Sequence, residues 1–200
     1  MRGVSLANGL GRPFRENAAV GSRREILTVG HSNHEEREFL ALLESAGVEQ
    51  LIDVRANPRS RYPQFNRSAL AGSLKEAGID YAHLGAELGG RRDPVPGSPN
   101  DAWGDGPFRG YADHMASEDF AAGLERLRDL AAQRRTAVMC AEADWTQCHR
   151  RLIADALVAG GDRVLHLGPD GSLVEHELNE AAVESDGHLI YPEPQTSLDV

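Results

Sequence analysis

Cys140 and Cys148 carry the most reactive side chains of the sequence, with seven residues between them. The second begins the run Cys148-His149-Arg150-Arg151 at the expected start of a helix. There, unpaired backbone N–H groups and neighbouring cations lower a thiol's pKa. A thiol so placed is a nucleophile or a ready metal ligand. The bland alternative is that Cys148 and His149, four residues before Leu152 and Ile153, only continue a buried helix face. The cysteine spacing is not a zinc-finger spacing, so zinc or iron at the pair would need His31, His149 or Glu142 to complete the shell. For acid–base work, His31 or His149 could handle protons, and Glu142 could orient or deprotonate a substrate.

A second group is basic. Asp53 and Arg55 alternate along an expected strand and share a face, which suits either a ligand-facing pair or a buried ion pair. Pro58, Arg59, Ser60 and Arg61, with Arg67, Tyr62 and Phe65 nearby, make a loop of the kind that clamps phosphate or stacks bases. A solvated surface loop has the same composition. Ser32 reads as a helix cap rather than a nucleophile, and His83, His114, His176 and His188 have no context that lifts them above structural or surface roles.

The elements that must position these residues alternate. Apolar runs at Ile26–Gly30, Leu51–Arg55, Tyr81–Leu84, Ala137–Cys140 and Val164–Leu167 are too short for helices and read as strands buried on both faces. Between them lie helical stripes: Phe39, Leu42, Leu43 and Ala46, capped by Ser32 or Asn33; Leu70 and Leu74 within Ser68–Ala77; Phe120, Leu124, Leu127 and Leu130 after the cap Ser117; and Cys148–Ala159. Arg109–Ala116 and Glu177–Val183 read as further short helices. Gly85–Pro107, with six Gly and four Pro, reads as a lid. The alternation predicts one α/β domain over residues 25–192, a mainly parallel sheet of about five strands with helices on both faces, Rossmann-like in its three layers. Residues 1–24 read as a flexible basic tail and 193–200 as a terminal tail.

In such a sheet the carboxyl ends of the strands share one edge, where ligands bind. His31, Asp53, Arg55, Cys140, Glu142, Cys148 and His149 are therefore expected to line one pocket, with Ser32, Pro58, Arg59, Ser60, Arg61 and Arg150 holding substrate. The leading expectation is an enzyme acting on a phosphate-bearing small molecule or nucleic acid. The rivals are a non-catalytic metal or thiol redox sensor built on Cys140 and Cys148, and a sulfurtransferase-like thiol enzyme. Net charge −10, with 20 Arg and one Lys, argues against broad coating of nucleic acid but leaves room for a local basic groove. No apolar run is long enough to span a membrane and no secretory core stands at the N-terminus, so a cytoplasmic protein without a membrane partner is expected.

Five motifs in order, Thr28-Val29-Gly30-His31-Ser32, Asp53-Val54-Arg55 with Pro58 and Ser60, Tyr81 to Gly90 in the form Y-x-H-L-G-x-x-L-G-G, Met139-Cys140-Ala141-Glu142, and Cys148-His149-Arg150, resemble the bacterial family catalogued as domain of unknown function 488. The likeness runs from about Ile26 to Tyr191. It implies that the paired cysteines, here Cys140 and Cys148, are functional, while the family's name records no activity. A weaker likeness links the chain to rhodanese-type sulfurtransferases, which would place a persulfide on Cys140. Glu142 and Asp144 in the following loop would repel an anionic sulfur and count against it.

Overall fold

A computed structural model describes residues 23–193. Most of the two expected tails lies outside the described residues. Arg24, at the boundary, is tied into the domain: its carbonyl accepts from the Arg163 N–H at 2.8 Å and its Nε donates to Asp162 at 2.8 Å.

The five expected runs form parallel strands, β1 (Glu25–Gly30), β2 (Gln50–Asp53), β3 (Asp80–His83), β4 (Thr136–Cys140) and β5 (Arg163–Leu167). A sixth, β6 (Leu173–Glu175), adds antiparallel to β5, and the sheet order is β3-β2-β4-β1-β5-β6. Insertion of β4 between β1 and β2 brings the carboxyl ends of these three strands side by side, with Gly30 level with Cys140 and Asp53 level with Met139.

Alternation along the strands divides the core between two faces. Leu27, Val29, Leu51, Ala137 and Met139 pack with α1 (Glu36–Ser45) and α2 (Arg67–Glu76) through Phe39, Leu43, Leu70 and Leu74. Ile26, Ile52, Val54, Val138, Cys140 and Val164 point the other way. They meet α3 (Gly85–Leu88), α4 (Pro107–His114), α5 (Glu118–Ala131) and α6 (Arg150–Ala159) through Leu88, Tyr111, Phe120, Leu127 and Ile153. The chain is thus an α/β domain of three layers, whose main sheet has one strand more than expected.

Local differences have local causes. No helix forms over 177–183. Instead β7 (Val183–Ser185) and β8 (His188–Ile190) make a hairpin whose turn, Asp186-Gly187, has φ of 49° and 81°. Asp-Gly is the dipeptide that such a turn demands. Helix α1 is capped not by Ser32 or Asn33 but by a capping box between Glu35 and Glu38. Ser117 does cap α5, accepting from the Phe120 N–H at 3.2 Å. Helix α6 begins at Arg150, so Cys148 stands just ahead of its first turn.

The Gly- and Pro-rich stretch is pinned. The Asn100 side chain donates to Asp113 at 2.8 Å and accepts from the Tyr191 N–H at 2.8 Å, and Ser98 also bonds Asp113. Among the described residues no helix is long and apolar enough to cross a membrane.

Candidate functional site

The thiol pair is assembled by one loop. β4 ends in Cys140, and the chain then folds across the end of β1, so closely that a Cβ on Gly30 would stand 1.9 Å from the Glu142 carbonyl oxygen. Only glycine fits there. A 3-10 turn at Trp145–Gln147, capped by the Asp144 carboxylate on the Thr146 N–H at 2.8 Å, carries the chain back toward the sheet. Cys148 and His149 follow at once. The His149 Nδ1 lies 3.9 Å from the Cys140 Sγ and 3.8 Å from the Cys148 Sγ. Its Nε2 donates to the Val54 carbonyl at 3.3 Å, which leaves the Nδ1 lone pair directed at the sulfurs. Both thiols are free and buried.

Arg150 decides the charge of this cluster. Its side chain is 1% exposed, and among the described residues no carboxylate lies within ion-pair distance of it. Its Nε donates to the Cys148 Sγ at 3.4 Å, its Nη1 to the Thr28 Oγ1 at 3.4 Å, and its Nη2 to the carbonyls of Glu142 and Ala143. A buried guanidinium needs an anion, and a Cys148 thiolate is the one in contact. The thiol pKa values move the same way. The neighbouring Cys140 thiol holds Cys148 well below the ordinary thiol, with help from Arg150 against the effect of burial. Cys148 and burial push Cys140 up. The pair therefore keeps one proton, on Cys140.

Behind Arg150 runs a buried polar chain that the sequence reading passed over. Because Arg150 donates to Thr28, the Thr28 hydroxyl donates to the His166 Nδ1 at 2.7 Å. Burial lowers the His166 pKa to about 3, so its Nε2 carries the remaining proton and donates to the His176 Nδ1 at 2.9 Å. His176 in turn donates to Asp155 at 2.9 Å, and Asp155 also accepts from the Tyr191 hydroxyl at 2.9 Å and the Asn179 N–H at 3.0 Å. Trp145 stacks flat on His166 at 3.9 Å. Thr28 and His166 sit level on neighbouring strands, which was the available signal. Nothing local marks Asp155 on α6 as their partner.

The other predicted residues gather on the opposite face of the sheet. Arg55 clamps Asp53 through Nε at 2.9 Å and Nη2 at 2.6 Å, and its Nη1 donates to the Phe65 carbonyl at 2.9 Å and the His31 Nε2 at 3.2 Å. His31 donates from Nδ1 to the Ser32 carbonyl at 3.0 Å and stacks on Phe65. Both of its nitrogens are thereby used. The expectation of one pocket must be corrected: Cys140, Cys148, His149 and Arg150 come together, while His31, Asp53 and Arg55 form a separate cluster behind the sheet. Glu142 is exposed and contributes its carbonyl to Arg150. Arg59 and Arg61 are exposed, and Ser60 bonds Asn66 and Tyr62 within its loop. Pro58 and Arg59 line an open groove of about 680 Å³ with Asn66, Arg67 and Tyr81.

Burial first, and then Arg55, lower the His31 pKa from 6.5 to about 4. The unfolded chain binds that proton first as pH falls below 6.5, so stability is full above 6.5 and drops toward pH 4. A loss of about 2 kcal/mol from His31 by pH 4.5 is expected, with His166 adding in the same direction. Urea midpoints at pH 7 and 4.5 measure it, and equal midpoints would disprove it.

Compared with known families, residues 36–157 match the model described as Domain of unknown function DUF488. The chain belongs to this family. The matched span holds both cysteines, His149, Arg150, Asp53 and Arg55 and the glycine motif up to Gly90; the Thr28–Ser32 motif, His166 and His176 lie outside it. No curated protein and no solved structure matches the chain. The family description names no activity.

Proposed function

We propose that the protein is a thiol–disulfide redox protein whose couple is Cys140 and Cys148. The observation that carries this reading is the contact of the buried Arg150 Nε with the Cys148 Sγ at 3.4 Å, with no carboxylate near the guanidinium among the described residues. It supports Cys148 as the attacking thiolate. The oxidant class is a low-molecular-weight disulfide. Cys148 attacks one sulfur of that disulfide, forming a mixed disulfide and releasing one thiolate. Cys140 then passes its proton to the His149 Nδ1 and attacks the Cys148 sulfur, expelling the second thiolate. Two electrons leave the protein, the two expelled sulfurs leave as one thiolate and one thiol that takes the Cys140 proton from His149, and the protein keeps one disulfide.

A phosphate-bearing substrate draws less support. The guanidiniums of Arg55 and Arg150 are spent on Asp53, His31 and Phe65, and on Cys148, Thr28 and loop carbonyls. Of the arginines expected to hold phosphate, Arg59 and Arg61 are exposed and, among the described residues, without an ion pair.

The chain has two cysteines, which makes the test unambiguous. Equilibrated across a series of reduced-to-oxidised glutathione ratios, the protein should pass from two free thiols to none in one two-electron step while remaining monomeric on a non-reducing gel. Cys140→Ser and Cys148→Ser should each abolish the intramolecular step. Retention of both thiols in fully oxidised glutathione would refute the reading.

A further inference from the structure

We infer that the reduced pair is also a zinc site, with Cys140 Sγ, Cys148 Sγ and His149 Nδ1 as ligands and a fourth position left for water or an external donor. This goes beyond the redox reading and does not depend on it.

The ligand geometry is nearly in place. All three donor atoms lie within 4.8 Å of one another. Tetrahedral zinc, with bonds of about 2.3 Å to sulfur and about 2.0 Å to nitrogen, sets its sulfur and nitrogen ligands about 3.5 Å apart. The sulfurs stand 3.9 and 3.8 Å from Nδ1, a few tenths of an ångström from the zinc value, and the two sulfurs, within 4.8 Å of each other, close by at most about 1 Å to span the ion. Two thiolates and an imidazole are the donor set that zinc prefers over calcium or magnesium, which take oxygen.

The surroundings are those of a ligand set rather than a chance cluster. A metal-binding imidazole characteristically donates its other N–H to a fixed acceptor, which here is the Val54 carbonyl at 3.3 Å from Nε2. The ring packs against Tyr111, with centroids 5.0 Å apart and the rings tilted by 49°. Tyr111 is itself anchored by its hydroxyl on the Leu88 carbonyl at 2.8 Å. Gly90 adds a second, independent mark. A Cβ there would stand 2.8 Å from the Nδ1, the very atom that would bind metal, so the closing glycine of the Leu88-Gly89-Gly90 motif keeps that nitrogen clear. Arg150 donates its Nε–H to the Cys148 Sγ, a hydrogen bond that a metal-bound thiolate still accepts.

Occupancy would give the buried thiols a defined reduced state: zinc binding takes both as thiolates, releases the proton on Cys140, and blocks attack by Cys148. Loss of the ion, or oxidation of the sulfurs, then exposes the couple described above.

The test uses the reduced full-length chain, stripped of metal with a chelator and titrated with zinc against a chromophoric competitor. One equivalent should bind, and cobalt in its place should give thiolate-to-metal charge-transfer absorption in a tetrahedral spectrum. Cys140→Ser, Cys148→Ser and His149→Ala should each abolish binding, His188→Ala should leave it unchanged, and Gly90→Ala, which removes no donor, should weaken it at least about tenfold by displacing the ring. Circular dichroism confirms that each variant is folded, and the wild-type cobalt spectrum reports the ligands without any substitution. Absence of zinc binding at micromolar free metal, a cobalt spectrum without thiolate absorption, or unchanged affinity in the three ligand variants would overturn the proposal. Thiol counts on the metal-free protein judge the redox reading separately.

Discussion

Asp53→Ala is expected to lower folding stability by about 3–5 kcal/mol. Asp53 is fully buried and accepts four hydrogen bonds: from the Arg55 Nε at 2.9 Å, its Nη2 at 2.6 Å, its backbone N–H at 3.0 Å, and the Tyr81 hydroxyl at 2.9 Å. Alanine leaves a guanidinium that is 5% exposed with no counter-charge. The larger part of the loss comes from that stranded charge rather than from the missing bonds. Replacing both partners, Asp53→Leu with Arg55→Met, should therefore recover most of the stability, because two apolar side chains cost no desolvation of charge. Guanidinium denaturation of the two variants decides it, and a single substitution costing under about 1 kcal/mol would contradict the ion-pair account. The thiol couple lies across the sheet, so the glutathione midpoint should not move in either variant.

The second large effect is expected at Asp155. Asp155→Ala leaves three donors without an acceptor, the buried His176 Nε2 and Tyr191 hydroxyl and the half-buried Asn179 N–H. At about 1–3 kcal/mol for each orphaned group, a loss of about 4 kcal/mol follows. Burial by itself raises the Tyr191 phenol pKa, so its proton cannot be shed to relieve the site. Adding Tyr191→Phe removes one of the three orphans and should restore about 1 kcal/mol. A double variant less stable than Asp155→Ala alone would show that the ring's hydroxyl is satisfied elsewhere. Here the thiol side should respond. The chain from Asp155 through His176, His166 and Thr28 ends on Arg150, so the Asp155 variant is expected to shift the glutathione midpoint that the Asp53 variant leaves alone.

The two clusters also mark where sequence reading stopped. Each belongs to residues recognisable by type: Asp53 and Arg55 as a same-face pair, Cys140 and Cys148 as thiols at a strand end and a helix start. Strand-end position was read as proximity, and it places residues along one edge of the sheet. It does not choose a face. That choice lies in the register, where Asp53 stands level with Met139 and Cys140 is one residue further on, pointing the opposite way. A shift of one residue changes the side of the sheet.

Local pattern was sufficient where the cause is local. Apolar runs of four to six residues, helical stripes at three- and four-residue intervals and glycine stops depend on neighbours within a turn or two, and they specified five parallel strands, the helices between them and the family of the chain. The hairpin at 183–190 was missed in favour of a short helix over Glu177–Val183, although its signal, Asp186-Gly187, is local. What only the tertiary structure decided is which charge meets which. Arg150 finds its anion in Cys148 two residues away but its other partners on β1 and the 142–143 loop, and His166 reaches Asp155 only through His176, on a segment beyond β6. Such partnerships span |i−j| of up to 138 residues, and no helical or strand period encodes them. They are set by desolvation, because a charge or imidazole taken from water binds whichever polar group the packed layers bring within 3 Å, and the packing of those layers is a property of the whole chain.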